Sequence, residues 1–180
     1  MRLSKDEYFM RMAHNAALRS TCIRRSVGCV LVNSRGHVLA TGYNGVASGL
    51  PHCNARYESP ISPGPKWYYP NACSGSGSAS GTNLDGCDAI HAEQNALLQC
   101  QNVHDIVAAY TTTPPCVTCT KLLLNTGCQR IVCSGDYPSS GEFRWRNAGR
   151  EWVKFVGTLG PVDGGLATNA SDIFDGDTGD

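Results

Sequence analysis

His91-Ala92-Glu93 and, further along, Pro115-Cys116-Val117-Thr118-Cys119 are the residues of this chain best suited to chemistry. An imidazole and two thiolates make a three-ligand set for zinc and leave one tetrahedral position for water, whereas structural sites close all four with protein. Zinc held this way lowers the pKa of bound water to about 7, so hydroxide becomes available at neutral pH. Two thiolates offset much of the metal's charge, which keeps that hydroxide nucleophilic. Glu93 lies two residues from His91, so it reaches the same centre without ligating and suits a proton carrier. The chemistry this pattern points to is metal-assisted hydrolysis. Cys116-x-x-Cys119 alone fits a structural zinc knuckle or a redox pair equally well, with His91 a surface residue. The upstream His-x-Glu and the proline before Cys116 favour the catalytic centre.

Two helix-like runs must position these groups. Ala89 to Cys100 carries His91 and Glu93, and Cys116 to Thr126, stopped by Gly127, carries both thiols. A thiolate at a helix N-terminus is stabilised by free N–H groups and the helix dipole. Upstream, Ser4-Lys5-Asp6-Glu7 reads as a capping box, and Phe9, Met12, Ala13 and Ala16 recur at helical spacing, so residues 5–19 are expected to form an amphipathic helix. Val27–Val32 and His37–Gly42 read as strands of a hairpin turning through Asn33-Ser34-Arg35-Gly36. Ala108–Thr112, Arg130–Ser134 and Trp152–Val156 read as further strands, and 141–148 as a short helix ended by Gly149. Alternating strands and helices predict a three-layer α/β/α domain around a central mixed sheet of about five strands.

Residues 54–86 have loop chemistry, with Ser59-Pro60, Ser62-Pro63-Gly64-Pro65 and Ser74-Gly75-Ser76-Gly77-Ser78. Strands precede this stretch and the catalytic helix follows, so it reads as an insertion into one domain spanning 1–158. Residues 159–180, rich in Gly and Asp, read as a mobile acidic tail.

The bulk properties narrow the function classes. With 180 residues and 41% hydrophobic side chains the chain has the makings of one globular domain. Its 15 basic and 15 acidic side chains cancel. Polynucleotide binders usually carry a basic excess, so a small nucleotide is a better partner than DNA or RNA. The charged start Met1-Arg2-Leu3-Ser4-Lys5-Asp6-Glu7 has no secretory h-region and no apolar run is long enough for a membrane span. Ten cysteines without a secretory signal fit a reducing cytoplasm and metal binding better than disulfides.

The pattern His-x-Glu…Pro-Cys-x-x-Cys resembles the zinc-dependent nucleobase deaminases. Thr21-Cys22-Ile23-Arg24-Arg25-Ser26-Val27-Gly28, Thr41-Gly42-Tyr43-Asn44-Gly45, His52-Cys53, His91-Ala92-Glu93-Gln94-Asn95-Ala96 and Gly135-Asp136-Tyr137 are similar to the deoxycytidylate (dCMP) deaminase family over roughly residues 1–157. The resemblance implies a cytidine-deaminase-like fold and hydrolysis of dCMP to dUMP and ammonia, supplying dUMP for thymidylate. It implies that His91, Cys116 and Cys119 hold the catalytic zinc and Glu93 moves the protons. Arg24, with Arg25 as the fallback, would contact the 5′-phosphate, Asn44 the deoxyribose or base edge, and Tyr137 the pyrimidine face. Without the family, Arg24 reads as a solvated surface group, Asn44 as part of a turn and Tyr137 as a core aromatic.

The same resemblance implies a homohexamer in the cytoplasm, a host cytoplasm if the source is viral, activated by dCTP with Mg2+ and inhibited by dTTP. Gly42, Tyr43, Asn44 and Gly45 match the motif where those triphosphates bind. Cys22, Cys53, Cys73 and Cys87 then suit a second, structural zinc that staples the 54–86 insertion, with His52 replacing Cys73 if that thiol is too distant; the alternative is four free thiols. Cys29, Cys100, Cys128 and Cys133 read as small core residues. Two competing readings keep the metal: the same chemistry on tRNA adenosine, another free base or a single-stranded polynucleotide, and a non-catalytic zinc protein.

Overall fold

The computed structural model describes residues 2–50, 52, 53, 75, 78, 79, 81–83, 86–138 and 140–157. Most of the expected insertion at 54–86, the expected tail at 159–180 and Cys73 lie outside the described residues. The elements in order are α1 (Lys5–Ala17), β1 (Gly28–Val32), β2 (Val38–Tyr43), β3 (Gly45–Val46), β4 (Ala89–Ile90), α2 (Ala92–Gln99), β5 (Ala108–Thr111), α3 (Val117–Leu124), β6 (Arg130–Cys133), α4 (Glu142–Asn147) and β7 (Glu151–Lys154), with one 3-10 turn at Val103–Asp105.

Five strands form one mixed sheet in the order β2-β1-β5-β6-β7. β1 runs antiparallel to both neighbours, and β5, β6 and β7 are parallel. β1 is buried at all five positions, as a strand covered on both faces must be. Its alternate residues divide the core. Cys29 and Leu31, with Ala109, Ile131 and Trp152, pack against Ala92 and Ala96 of α2, Leu123 of α3 and Trp145 of α4. Val30 and Val32, with Ala108, Tyr110 and Val132, pack against Phe9, Met10 and Ala13 of α1. The layers are therefore α1, sheet, and α2-α3-α4, the cytidine-deaminase-like architecture expected. Cys29, Cys128 and Cys133 belong to the first cluster and Cys100 packs beside it. Among the described residues no helix is long and apolar enough to cross a membrane.

Two glycines set how closely helices approach the sheet. A Cβ on Gly28 would strike the Ala13 carbonyl oxygen of α1, and one on Gly42 would strike the Ala92 carbonyl oxygen and Ala96 nitrogen of α2. Each helix backbone thus lies directly on a strand, and the Gly42 contact places the start of α2.

The capping box at Ser4 is present: the Glu7 N–H donates to Ser4 Oγ at 3.2 Å and the Ser4 N–H to Glu7 Oε2 at 3.1 Å. α1 stops at Ala17 rather than Arg19, because its last turn tightens to i−3 bonds from Leu18 to Asn15 and Arg19 to Ala16. Asp6 anchors its first turn, accepting from Arg130 Nη1 and Nη2 at 2.7 and 2.9 Å and from the Tyr110 hydroxyl at 3.0 Å. The larger correction concerns Ala89 and Ile90. They do not begin a helix but pair as β4 with Val46 and Gly45 of β3, and the helix starts only after His91.

Candidate active site

His91 occupies the junction between β4 and α2. Its extended backbone (φ −70°, ψ 156°) makes it the N-cap of α2, and its N–H donates to Gln94 Oε1 at 2.8 Å. Asn95, one residue on, donates from Nδ2 to the Tyr43 carbonyl at 2.7 Å and ties the same turn to the end of β2. The two thiols come from the start of α3. Cys116 is its N-cap, with Sγ accepting from the Cys119 N–H at 3.5 Å. The preceding turn is braced: Thr111 Oγ1 donates to the Thr113 carbonyl at 2.8 Å and the Gly141 N–H to the Pro115 carbonyl at 2.9 Å. β5 and the start of α4 thereby hold Cys116 in place.

These elements bring the three groups together. His91 Nδ1 stands 3.5 Å from Cys116 Sγ and 3.4 Å from Cys119 Sγ, and the three donor atoms lie within 4.8 Å of one another. Zinc–nitrogen and zinc–sulfur bonds of about 2.0 and 2.3 Å at a tetrahedral angle put the donor atoms about 3.5 Å apart. The set therefore fits one Zn2+ with a fourth direction left to a non-protein ligand. Among the described residues it is the one group of three such side chains within mutual reach.

The electrostatics agree with that assignment. Cys116 is held down to about 4, first by the hydrogen bond from Cys119 and then by the one from His91, against the effect of burial. Cys119 is pushed up by the bond it gives Cys116 and by burial. His91 is raised, mainly by its hydrogen bond with Cys116. One thiolate thus forms readily beside an imidazole, and a metal ion held by the set would take the place of the proton they share. Glu93 is 3% exposed, and burial raises its carboxyl above the ordinary range. It is not one of the three metal-type donors, yet it lies against the Cys119 thiol and so faces the same centre. A carboxyl whose affinity for a proton is raised in this way is suited to take one up and give it back.

The centre opens into a cleft of about 570 Å³, including its solvent-open mouth. Arg24, Arg25, Asn44 and Tyr137 line it together with His91 and Glu93. The Arg25 guanidinium sits 5.6 Å over the Tyr137 ring, a cation–π distance, and donates to the Asp136 carbonyl at 3.3 Å. Asn44 is heavily engaged by its own neighbourhood. Its Oδ1 accepts from Ser20 Oγ at 2.7 Å and the Val27 N–H at 2.8 Å, and its Nδ2 donates to the Arg25 carbonyl at 2.7 Å. It clamps the 20–27 segment that carries both arginines, and one of its amide hydrogens has no partner among the described residues.

The other expected site residues spread further. Cys22 and Cys87 line the same cleft, Cys53 is buried without lining it, and Cys73 lies outside the described residues. Gly42, Tyr43 and Gly45 do not line the cleft. Gly42 lies under α2, Tyr43 receives Asn95, and Gly45 pairs with Ile90. Gln94 and Asn95 position His91 without having been singled out. For Gln94 a signal was available, since Gln three residues after an N-cap is half of a capping box.

The sequence model of the cytidine and deoxycytidylate deaminase zinc-binding region matches residues 3–135. The deoxycytidylate deaminase of Schizosaccharomyces pombe is 39% identical over 140 residues, covering 76% of this chain and 38% of that protein. That of Mycobacterium phage D29 is 40% identical over 131 residues, covering 71% and 91%. The match to Saccharomyces cerevisiae deoxycytidylate deaminase covers 39% of that protein, so the chain spans about two-fifths of the yeast relatives. Among solved structures, the cyanophage S-TIM5 dCMP deaminase in complex with dCMP and dUMP shares the fold at a TM-score of 0.62 and 24% identity, covering 86% of this chain and 99% of that one. Matched over most of its length and carrying the zinc-ligand geometry within the matched region, the chain belongs to the cytidine and deoxycytidylate deaminase family.

Proposed function

We propose that the chain converts dCMP and water to dUMP and ammonia. The observation that carries this is the convergence of His91, Cys116 and Cys119 with the buried Glu93 in one cleft that two arginines and a tyrosine also line. The names of the relatives at 37–40% identity support the substrate. Zinc bound by His91, Cys116 and Cys119 would supply a nucleophile from water at neutral pH. Glu93 takes a proton from the attacking water and delivers it to N3 of the cytosine as the C4–O bond forms. It then passes the second proton to the exocyclic amine, the C4–N bond breaks, and ammonia leaves. Arg24 and Arg25 bind the 5′-phosphate, where a guanidinium fork suits a dianion. Tyr137, steadied by Arg25, covers one face of the pyrimidine, and the remaining Asn44 amide hydrogen meets the sugar or base edge.

The wider reading extends this proposal. Residues 1–158 form the catalytic domain and 159–180 an acidic tail. A second zinc on Cys22, Cys53 and Cys87 with Cys73 or His52 would staple the insertion; the three described thiols do not form a group within mutual metal-binding reach, so binding would have to draw them together. The enzyme assembles as a hexamer in the cytoplasm, dCTP with Mg2+ activates it, dTTP inhibits it, and Gly42 to Gly45 sense both.

The test is ammonia release by zinc-loaded protein from dCMP and from deoxycytidine, with and without dCTP–Mg2+. A strong preference for the monophosphate supports the proposal. Equal rates remove the phosphate-reading role, and no release from either substrate overturns the activity.

A further inference from the structure

Tyr137 lines two spaces at once. One is the catalytic cleft, and the other is a hollow of about 780 Å³, including its solvent-open mouth, at the ends of β6 and β7. Residues 135–138 line that hollow together with Cys133, Trp152 and Lys154. The segment that borders the cleft at Tyr137 is therefore backed by open space, and its position depends on a few polar pins. Ser134 fixes one end, donating from its N–H to the Thr111 carbonyl at 3.3 Å and from Oγ to the Thr112 carbonyl at 3.0 Å. Ser140 fixes the other through its bridge to Cys116.

Asp136 is pinned between these ends by both its side chain and its backbone. Its Oδ1 accepts from Lys154 Nζ at 2.6 Å, and its carbonyl accepts from Arg25 Nη1 at 3.3 Å. Lys154 is the last residue of β7 and pairs in register with Cys133, and the Phe155 N–H donates to the Cys133 carbonyl at 2.8 Å. The sheet thus holds Lys154 beside the base of the segment. Arg25 lines the cleft and rests on the segment at two points, the Asp136 carbonyl and the Tyr137 ring. A distance of 3.3 Å is at the long end for N–H···O, so a small rotation of Asp136 loses that bond.

We propose that Lys154 is a positioning residue: its ion pair with Asp136 fixes the 135–138 segment, and the segment aims the Arg25 guanidinium at the substrate's 5′-phosphate. This deepens the reading of the cleft as a dCMP site with Arg25 on the phosphate, and it rests on that reading. Lys154 lies outside the cleft lining and acts only through Arg25. The two side chains of the ion pair are 56% and 90% exposed, so its pull is modest and screened by salt.

The experiment measures kcat and KM on dCMP, and dUMP affinity by titration calorimetry, for zinc-loaded wild type and four variants. These are Lys154→Arg, Lys154→Met, Lys154→Glu and the charge-swapped pair Asp136→Lys with Lys154→Asp. Lys154→Glu sets two carboxylates against each other and should raise KM and the dUMP Kd by about fivefold, the upper range for an exposed pair, with kcat within about twofold. Lys154→Met removes the charge without reversing it and should raise both by about threefold; it decides the matter if Lys154→Glu does not fold. Lys154→Arg and the swapped pair restore an attraction and should return within about twofold of wild type. In about 1 M salt the Lys154→Glu defect relative to wild type should shrink, because charges are then screened over about 3 Å. Unchanged KM and Kd in the folded Lys154→Glu or Lys154→Met protein overturn the proposal. So does a defect that falls on kcat instead, or one that the swapped pair leaves in place, since a merely structural role predicts either. Wild type that neither deaminates dCMP nor binds dUMP overturns the dCMP reading instead, so the two failures are distinct.

Discussion

Gly42→Ala is a one-methyl perturbation whose effect can be worked out from the packing of α2 on β2. The added Cβ would overlap the Ala92 carbonyl oxygen and the Ala96 nitrogen, and would lie 3.0 Å from Ala96 Cα. Carbon contacts settle at about 3.5–4.0 Å, so α2 must withdraw by about 1 Å. Overpacking of this kind costs about 1–3 kcal/mol of stability. The functional cost follows from what α2 carries: His91 is its N-cap and Glu93 its second residue. A displacement of about 1 Å at a positioned catalytic group lowers turnover by about 100-fold. Urea unfolding, zinc affinity against a competing chelator, and kcat on dCMP measure the three consequences. Parental values for all of them would refute the reasoning. Loss of dCTP activation with an untouched basal rate would instead assign Gly42 to an effector site rather than to the seat of α2.

Two further substitutions test the parts separately. Cys119→Ser should lose one equivalent of zinc relative to wild type by elemental analysis, because a hydroxyl is a poor substitute for a thiolate on this metal; an unchanged zinc count would remove Cys119 from the ligand set. Asp6→Asn should destabilise the fold above the usual carboxyl range and not below it. The Arg130 hydrogen bonds hold the Asp6 carboxyl below its ordinary 3.8, so the stability it contributes is present above about pH 3.9 and fades as pH falls through the lowered folded value. Urea titrations of both proteins from pH 7 downward should show the gap begin to narrow once pH passes below about 3.9, and a gap that stays constant as pH falls through the carboxyl range would contradict the pairing.

Local signals carried well where a few neighbouring residues decide the outcome. Ser4 and Glu7 specify their own capping box, and Asn33 to Gly36 their own hairpin turn, with Gly36 at φ +78°. Spacing also carried the metal set, because His91 and Cys116 each sit at a helix N-cap, the first after β4 and the second after β5. Long-range pairing was invisible. Nothing in Ala89-Ile90 itself announces that Gly45-Val46 will pair with it, so apolar residues beside a helix read as part of the helix. The roles of Asn44 and Arg24 were partly hidden for the same reason. Asn44 spends most of its carboxamide on residues 20–27, and Arg24 spends its Nη2 on carbonyls 55 and 58 residues away. Turn-forming motifs such as Gly42-Tyr43-Asn44-Gly45 look alike in a sequence whether they seat a helix or receive a ligand.

Replacing Glu93 with Gln probes the central claim most directly, since it keeps the shape of the side chain and removes its capacity to carry a proton. The assay is dCMP deamination per bound zinc. The expected result is the wild-type zinc content with turnover reduced by about 100-fold or more, the usual contribution of a positioned acid–base group. Turnover at the wild-type rate by fully metallated Glu93→Gln protein would contradict the account.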